Sequence, residues 1–421
     1  MNLNSQTREK TMTKNYGIKF GFVVLIAFSI CAQAHADDWT QFRGTGGTSN
    51  AAGAVIPIKI AESNNVKWDV ELPGKGPSSP IVIGDQVIVT CSFGDKQDRL
   101  AVVSYNAKSG KQNWRQDFWA TGRSVCHPLS ANAAPTPTSD GKFIYAFFSS
   151  NDLACLDLEG NLKWFRGLAY DYPKAANDTG MSSSPVVADG VVVVQIENQA
   201  DSFAAGIDTT TGKTLWRKER EPKACWASPV IIRGNPNRPS MVVLQSNSKT
   251  TVHNVKSGEK VWEYEGRFSG IPSPVVDGNR LYLPVDGTTA FEIADDGKFT
   301  KLWNNPRMAP GTSSLIVSKK YLFSLNRGGI TNCFDAKSGE RLWQVRMNSG
   351  SGFWSTPLLA GGHLYFFSQG GKAQVVEVSN SGGKIVYEHE YKETFLGSPA
   401  VSNNAMFMRS DNRLRKIAGD Q

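Results

Sequence analysis

Few residues in this chain could carry acid–base or covalent chemistry. Histidine occurs five times, and beyond His35 only His127, His253, His363 and His389 remain. His253 and His363 fall in apolar, β-branched stretches and read as structural. No Ser/His/Asp grouping or close pair of carboxylates can be assembled from the spacing, so no catalytic residue is assigned. Six cysteines show no C-x-x-C or Cys/His spacing of a metal site. Cys155 and Cys333 occupy equivalent positions before Asp157 and Asp335 and read as small buried apolar groups. Cys91 also remains, and Cys126 and Cys225, both in connections, are the pair to test for a disulfide. Glu197-Asn198 offers two oxygen ligands of the kind a hard cation takes, but such a dipeptide in a strand connection is ordinarily solvated, and no metal is expected.

Aromatic residues in connections are the stronger candidates. Trp226 and Trp354 each stand two residues before a Ser-Pro or Thr-Pro step. Arg123 and His127 follow Phe118 and Trp119 in one long connection, and Tyr170 and Tyr172 lie in the next. Glu197, Asp286 and Arg327 add charges of both signs in shorter connections. Aromatics beside polar groups in a concavity are the usual lining of a binding site.

The elements that position these residues come from a repeat. In Ser182 to Arg217, Ser184-Pro185 opens a β-branched run, a turn falls at Asp189-Gly190, and Asp208 leads through Gly212 to Trp216. Short β-branched runs separated by turn residues are antiparallel strands, here four in one unit. The opening recurs at Ser79, Thr136, Ser228, Ser273, Thr356 and Ser398, each before Pro, and in degenerate form at Ser314-Leu315. Closing aromatics fall at Trp114, Trp164, Trp216, Trp262, Trp303, Trp343 and Tyr387, spaced 50, 52, 46, 41, 40 and 44 residues apart. Four strands at that period are propeller blades.

The two ends complement each other. An isolated closing strand surrounds Trp68, and an opening at Ser398-Pro399 has no closing Trp after it. The expectation is an all-β, eight-bladed propeller of four-stranded antiparallel blades over residues 61–421, its last blade completed by the N-terminal strand. Closure leaves few exposed sheet edges. The closing Trp residues are expected to be core. Trp226 and Trp354, outside that pattern, are expected at the mouth of the central tunnel.

Residues 1–36 read as a signal peptide: Lys14 and Lys19 precede an apolar run from Phe20 to Ala32, then Ala34-His35-Ala36. Ile30 stands before Cys31 where a lipobox takes a small residue, so no lipid anchor is expected. Residues 37–60 read as an extended leader that docks on the propeller. The chain's charge of +8 becomes +5 without Arg8, Lys10, Lys14, Lys19 and Glu9. The remaining basic residues are scattered rather than striped among aromatics, so nucleic acid is not an expected partner. No later segment is long and apolar enough to span a bilayer.

The repeat, S-x-P-V-V followed by D-x-x-[ST]-G-x-x-x-W, resembles the pyrroloquinoline-quinone-like (PQQ-like) β-propeller family over essentially the whole chain after residue 36. The leader Trp39-Thr40-Gln41-Phe42-Arg43-Gly44 is similar to the start of an exported bacterial subgroup. The family includes quinoprotein dehydrogenases and the outer-membrane assembly lipoprotein BamB. The dehydrogenases imply PQQ stacked on a Trp, Ca²⁺ held by Glu and Asn, a catalytic Asp and often adjacent cysteines. This chain has no adjacent cysteines and is much shorter. With the signal segment and no recognisable catalytic set, the expectation is a periplasmic or extracellular, monomeric, non-enzymatic scaffold without cofactor, resembling the assembly factor. It would bind a protein or polysaccharide partner through Trp226, Trp354, Arg123, His127, Tyr170, Tyr172, Glu197, Asp286 and Arg327. A PQQ-dependent alcohol or sugar oxidoreductase is the alternative.

Overall fold

In a computed structural model, residues 38–175 and 179–419 are described. The expected signal segment, residues 1–36, lies outside the described residues. Eight antiparallel sheets, each with four propeller strands, follow one another along the chain. Blade 1 holds Ile81–Ile83, Gln86–Phe93, Arg99–Asn106 and Gln112–Trp119, and the same order repeats through blade 7, which ends at Gly383–Glu390. Blade 8 takes three strands from Ala400–Ser402, Ala405–Arg409 and Arg413–Ala418. Its outer strand is Val66–Glu71, with Trp68 opposite Lys416 and Val70 opposite Leu414. The N-terminal strand thus clasps the ring shut. Among the described residues no helix is long and apolar enough to cross a membrane.

The three inner strands of a blade are buried on both faces, which explains runs such as Val191–Ile196, buried at every position, in place of alternation. Outer strands alternate instead, as in Gln112–Trp119. Each of the eight outer strands slips register just ahead of its closing aromatic, at Val66/Trp68 and Thr214/Trp216 for example. A bulge re-aims the side chain that follows it. Here it sends the indole toward the next blade. Trp216 is 7% exposed, donates Nε1–H to the Val255 carbonyl at 2.8 Å and lies flat on Gly258. A Cβ on Gly258, whose φ is +67°, would stand 2.6 Å from the ring. The same indole-to-carbonyl bond joins Trp68 to Ala107, Trp114 to Leu158, Trp164 to Thr209 and Trp343 to Ser379. Trp68 carries it from blade 8 to blade 1, so the contact runs across the clasp. Burying one indole removes roughly 150–250 Å² from water, a gross gain of about 4–6 kcal/mol.

The leader is not extended. Arg43, Gly44, Gly46, Gly47 and Ser49 all take positive φ, and Thr45–Gly47 forms one 3-10 turn. The coil fills the tunnel from the face bearing the inner hairpins. Trp39 bridges Val82 of blade 1, and Thr40 accepts from Ser139 N of blade 2. Thr48 accepts from Val317 N of blade 6, Ser49 from Leu359 N of blade 7, and Asn50–Ala51 adds a short parallel strand to blade 7. Only glycine fits at position 46, where a Cβ would lie 2.0 Å from the Val276 carbonyl oxygen.

All five described cysteines are free, Cys126 and Cys225 included. Cys225 is buried, with its sulfur against the carbonyls of Gln245 and Gly270.

Candidate functional site at the tunnel mouth

The residue that opens each blade does more than punctuate. The hydroxyl of Thr136 accepts the backbone N–H of Ser79, that of Ser184 accepts from Thr136, and that of Ser228 from Ser184. Ser273, Ser314, Thr356 and Ser398 continue the series, and Ser398 N closes it on Ser79 Oγ at 2.9 Å. Eight side-chain hydroxyls and eight N–H groups make one belt around the axis. The degenerate opening, Ser314-Leu315, has lost the proline and kept the hydroxyl. Each belt oxygen spends an acceptor site on the neighbouring blade and keeps its own O–H to donate.

Above the belt lies a cavity of about 570 Å³. Phe42 of the leader lines its base, and seven belt residues, all but Ser79, face it. Leu129, Ile271 and Leu396 supply aliphatic wall, with Trp226, Trp354 and His127 around them. The blade-to-blade connections place these groups. Trp226 is half-buried, with its N–H bonded to Gly270 O and its indole N–H to Gly180 O at 2.9 Å. Trp354 is 42% exposed, held by one bond from its indole to Gln369 Oε1. His127 Nδ1 accepts the N–H of Leu129 at 3.1 Å. Among the described residues no charged Asp, Glu, Lys or Arg side chain lines the cavity.

The cavity therefore gathers Trp226, Trp354 and His127 and leaves the other expected residues outside. Glu197, expected as an accessible group in a face loop, is fully buried. Its Oε1 accepts from Arg220 Nε at 2.7 Å and Ser246 Oγ at 2.6 Å, and burial pushes the carboxyl up against the pull of Arg220. The pair ties blade 3 to blade 4. Tyr172 packs on Phe203, ring centroids 4.1 Å apart, under the Arg217 guanidinium. Tyr170, Arg123, Asp286 and Arg327 are exposed but do not line the cavity, and Asp286 pairs with Arg267 at 3.3 Å. Among the described residues no three His, Cys, Asp or Glu side chains converge as a metal site.

Phe42 and the belt hydroxyls were missed as lining. The signal for the belt was present: every one of eight openings carries Ser or Thr, including the one that lacks proline. Nothing local to Phe42 places it at the axis, because that depends on the leader coiling through the tunnel.

A family model described as "Outer membrane protein assembly factor BamB" matches residues 49–178, 174–324, 246–350 and 326–421. A polyvinylalcohol dehydrogenase of Pseudomonas sp is 25% identical over 329 residues, 68% of this chain and 47% of that protein. The outer membrane protein assembly factor BamB of Yersinia pestis is 22% identical over 287 residues, 65% of this chain and 66% of that protein. The chain thus spans less than half of the dehydrogenase it matches and just under two thirds of that BamB. The crystal structure of BamB from Moraxella catarrhalis superposes with a TM-score of 0.60 at 16% identity, covering 83% of this chain and 98% of that one. At that identity the likeness concerns the fold.

Proposed function

The chain belongs to the PQQ-like β-propeller family described as outer membrane protein assembly factor BamB, and from that premise we propose that it is an exported, non-catalytic envelope scaffold that holds a protein partner at the tunnel mouth. The observation that carries this reading is the lining of the cavity: aromatic and aliphatic walls, hydroxyls at the base, and no carboxylate, ammonium or guanidinium among the described lining residues. Such a wall desolvates at low cost. Its exposed Trp354 and half-buried Trp226 are the residue type that anchors protein interfaces. Each indole is already hydrogen-bonded, Trp226 to Gly180 O and Trp354 to Gln369 Oε1, so little order is lost on binding. The relatives named as assembly factors support the same reading.

A second reading, oxidation of an alcohol with PQQ, is favoured by the similarity to the polyvinylalcohol dehydrogenase. The described lining residues do not fit that group. Among them no Glu, Asp, Asn or Gln side chain is available to ligate the cation or to act as base, and Glu197 is committed to Arg220. One pair of experiments separates the readings. A photo-crosslinking residue placed at Trp354 should trap a defined envelope protein, while one at the exposed outer-edge Leu342 should not. Addition of PQQ and Ca²⁺ should give no dye-linked alcohol oxidation. Saturable PQQ binding with turnover would overturn the scaffold reading.

A further inference from the structure

Arg43, with Arg409, is one of two described arginines buried to 1% exposure. Its side chain sits in the tunnel, 1% exposed. Two of its five N–H donors reach carbonyl oxygens, those of Gly47 at 2.8 Å and Pro274 at 3.1 Å, and Nε has no partner. Among the described residues no carboxylate pairs with it. Burial pulls the guanidinium down to about 9, which still leaves it cationic at neutral pH. A buried cation without a counter-charge is costly, and folded proteins rarely keep one unless something neutralises it.

The tunnel shows where an anion would go. The Arg43 guanidinium lies 4.9 Å from the centroid of the Phe42 ring, and Phe42 lines the cavity. Pro274, which accepts from Arg43, directly follows the belt residue Ser273. The belt residues Ser228, Ser273 and Ser314 are each 4% exposed or less, and their hydroxyls already accept from a neighbouring blade. Among the described hydrogen bonds none of the three donates its O–H to a protein acceptor. Three buried hydroxyl donors therefore line the cavity, and the guanidinium lies behind the lining, bonded to the carbonyl of the residue after Ser273 and set against Phe42. Trp226 and Ile271, just ahead of the openings at Ser228 and Ser273, line the same cavity.

The geometry points to a carboxylate site at the base of the cavity, with Ser228, Ser273 and Ser314 as its donors and Arg43 as the charge behind it. The ligand is a carboxylate on an apolar body, the body lying against Trp226 and the aliphatic wall. It can be a free small acid or the C-terminal residue of a polypeptide, and it needs no metal. The site rests on the reading that this cavity is the binding face, but its test is separate from partner capture.

Calorimetry on the full chain compares 3-phenylpropionate with its primary amide, and a Gly-Gly-Phe peptide with a free or an amidated C-terminus. The acids should bind roughly tenfold tighter than the amides, the scale of one charge-assisted hydrogen bond. Arg43→Gln should erase that gap, while Arg43→Lys should keep most of it. A peptide acid that binds as well as the small acid assigns the site to a chain terminus, and binding of the small acid alone assigns it to a free acid. Equal binding of acids and amides, no binding of either acid, or an unchanged gap in Arg43→Gln would overturn the site. If Arg43→Gln does not fold, Ser273→Ala replaces it, and a gap that survives there is equally fatal. Partner capture without acid selectivity removes the carboxylate site and leaves the scaffold reading. Acid selectivity without capture does the reverse.

Discussion

The perimeter and the axis of this propeller use the same eightfold repetition for opposite ends. At the perimeter each blade spends a large aromatic side chain on its neighbour, set by a bulge and, in most blades, finished by one indole-to-carbonyl bond. The contact leaves little unused, since Trp216 has its ring buried and its N–H satisfied. At the axis each blade spends only a hydroxyl oxygen. The belt joins the blades but keeps O–H donors facing a cavity, and the leader beneath it carries Arg43, with which no described carboxylate pairs. Repetition that satisfies its polar groups supports the ring. Repetition that leaves donors over is available for binding.

The largest effect should come from removing both regions' shared tether. Deleting residues 37–72 takes away the outer strand of blade 8, the Trp68 contact with blade 1 and the tunnel coil together. The melting temperature should fall by more than in any single substitution, and an unchanged melt in calorimetry would contradict the clasp. Next, Trp216→Ala deletes a buried indole and should cost roughly 3–5 kcal/mol in urea unfolding. A cost below about 1 kcal/mol would mean that the perimeter contact is not what holds blades 3 and 4.

His253 links the perimeter to pH. Its Nδ1 donates to the carbonyl of Gly258, the glycine under Trp216, and its Nε2 meets Thr251 Oγ1 at 2.9 Å. Burial pulls the imidazole from 6.5 down to about 4. The folded protein thus holds it neutral, while the unfolded chain takes up a proton near 6.5. This contribution is complete above that value and is lost as pH falls from 6.5 toward 4. His253→Asn should flatten that part of the stability curve, as followed by urea midpoints across the window. A smaller effect belongs to the belt. Ser314→Ala removes one N–H acceptor and should cost about 1 kcal/mol, with Ser314→Thr restoring it in the same unfolding assay.

How far these regions could be read from sequence follows the same division. Perimeter features are local: an Asp, a turn glycine and a Trp at fixed spacing specify a strand end and the contact beyond it. The isolated strand at Trp68 and the unclosed unit after Ser398 were therefore enough for the blade count. The axis is assembled from residues hundreds of positions apart. Arg43 bonds Pro274, and Ser398 bonds Ser79, so no window of sequence contains either contact. Glu197 reads as a loop acid because its partner Arg220 lies 23 residues on, across a strand pair. Cys126 and Cys225 share a kind of connection but not an environment: one is half-buried and the other wholly buried against carbonyls. The positions of Trp226 and Trp354 were legible because the residue before each opening must return to the axis whatever the loop does.

The central claim is that the tunnel mouth binds while the perimeter supports. It is tested most directly by moving the photo-crosslinking residue to Leu129 in the cavity wall and measuring melting temperature and partner crosslinking on one variant, Trp226→Ala/Trp354→Ala, beside Trp216→Ala. The double variant should melt within a few degrees of the wild type, because both rings are already in part solvent-exposed, and should lose the crosslinked partner. Retained crosslinking, or a fall in melting temperature as large as that of Trp216→Ala, would make these two residues part of the framework and contradict the claim.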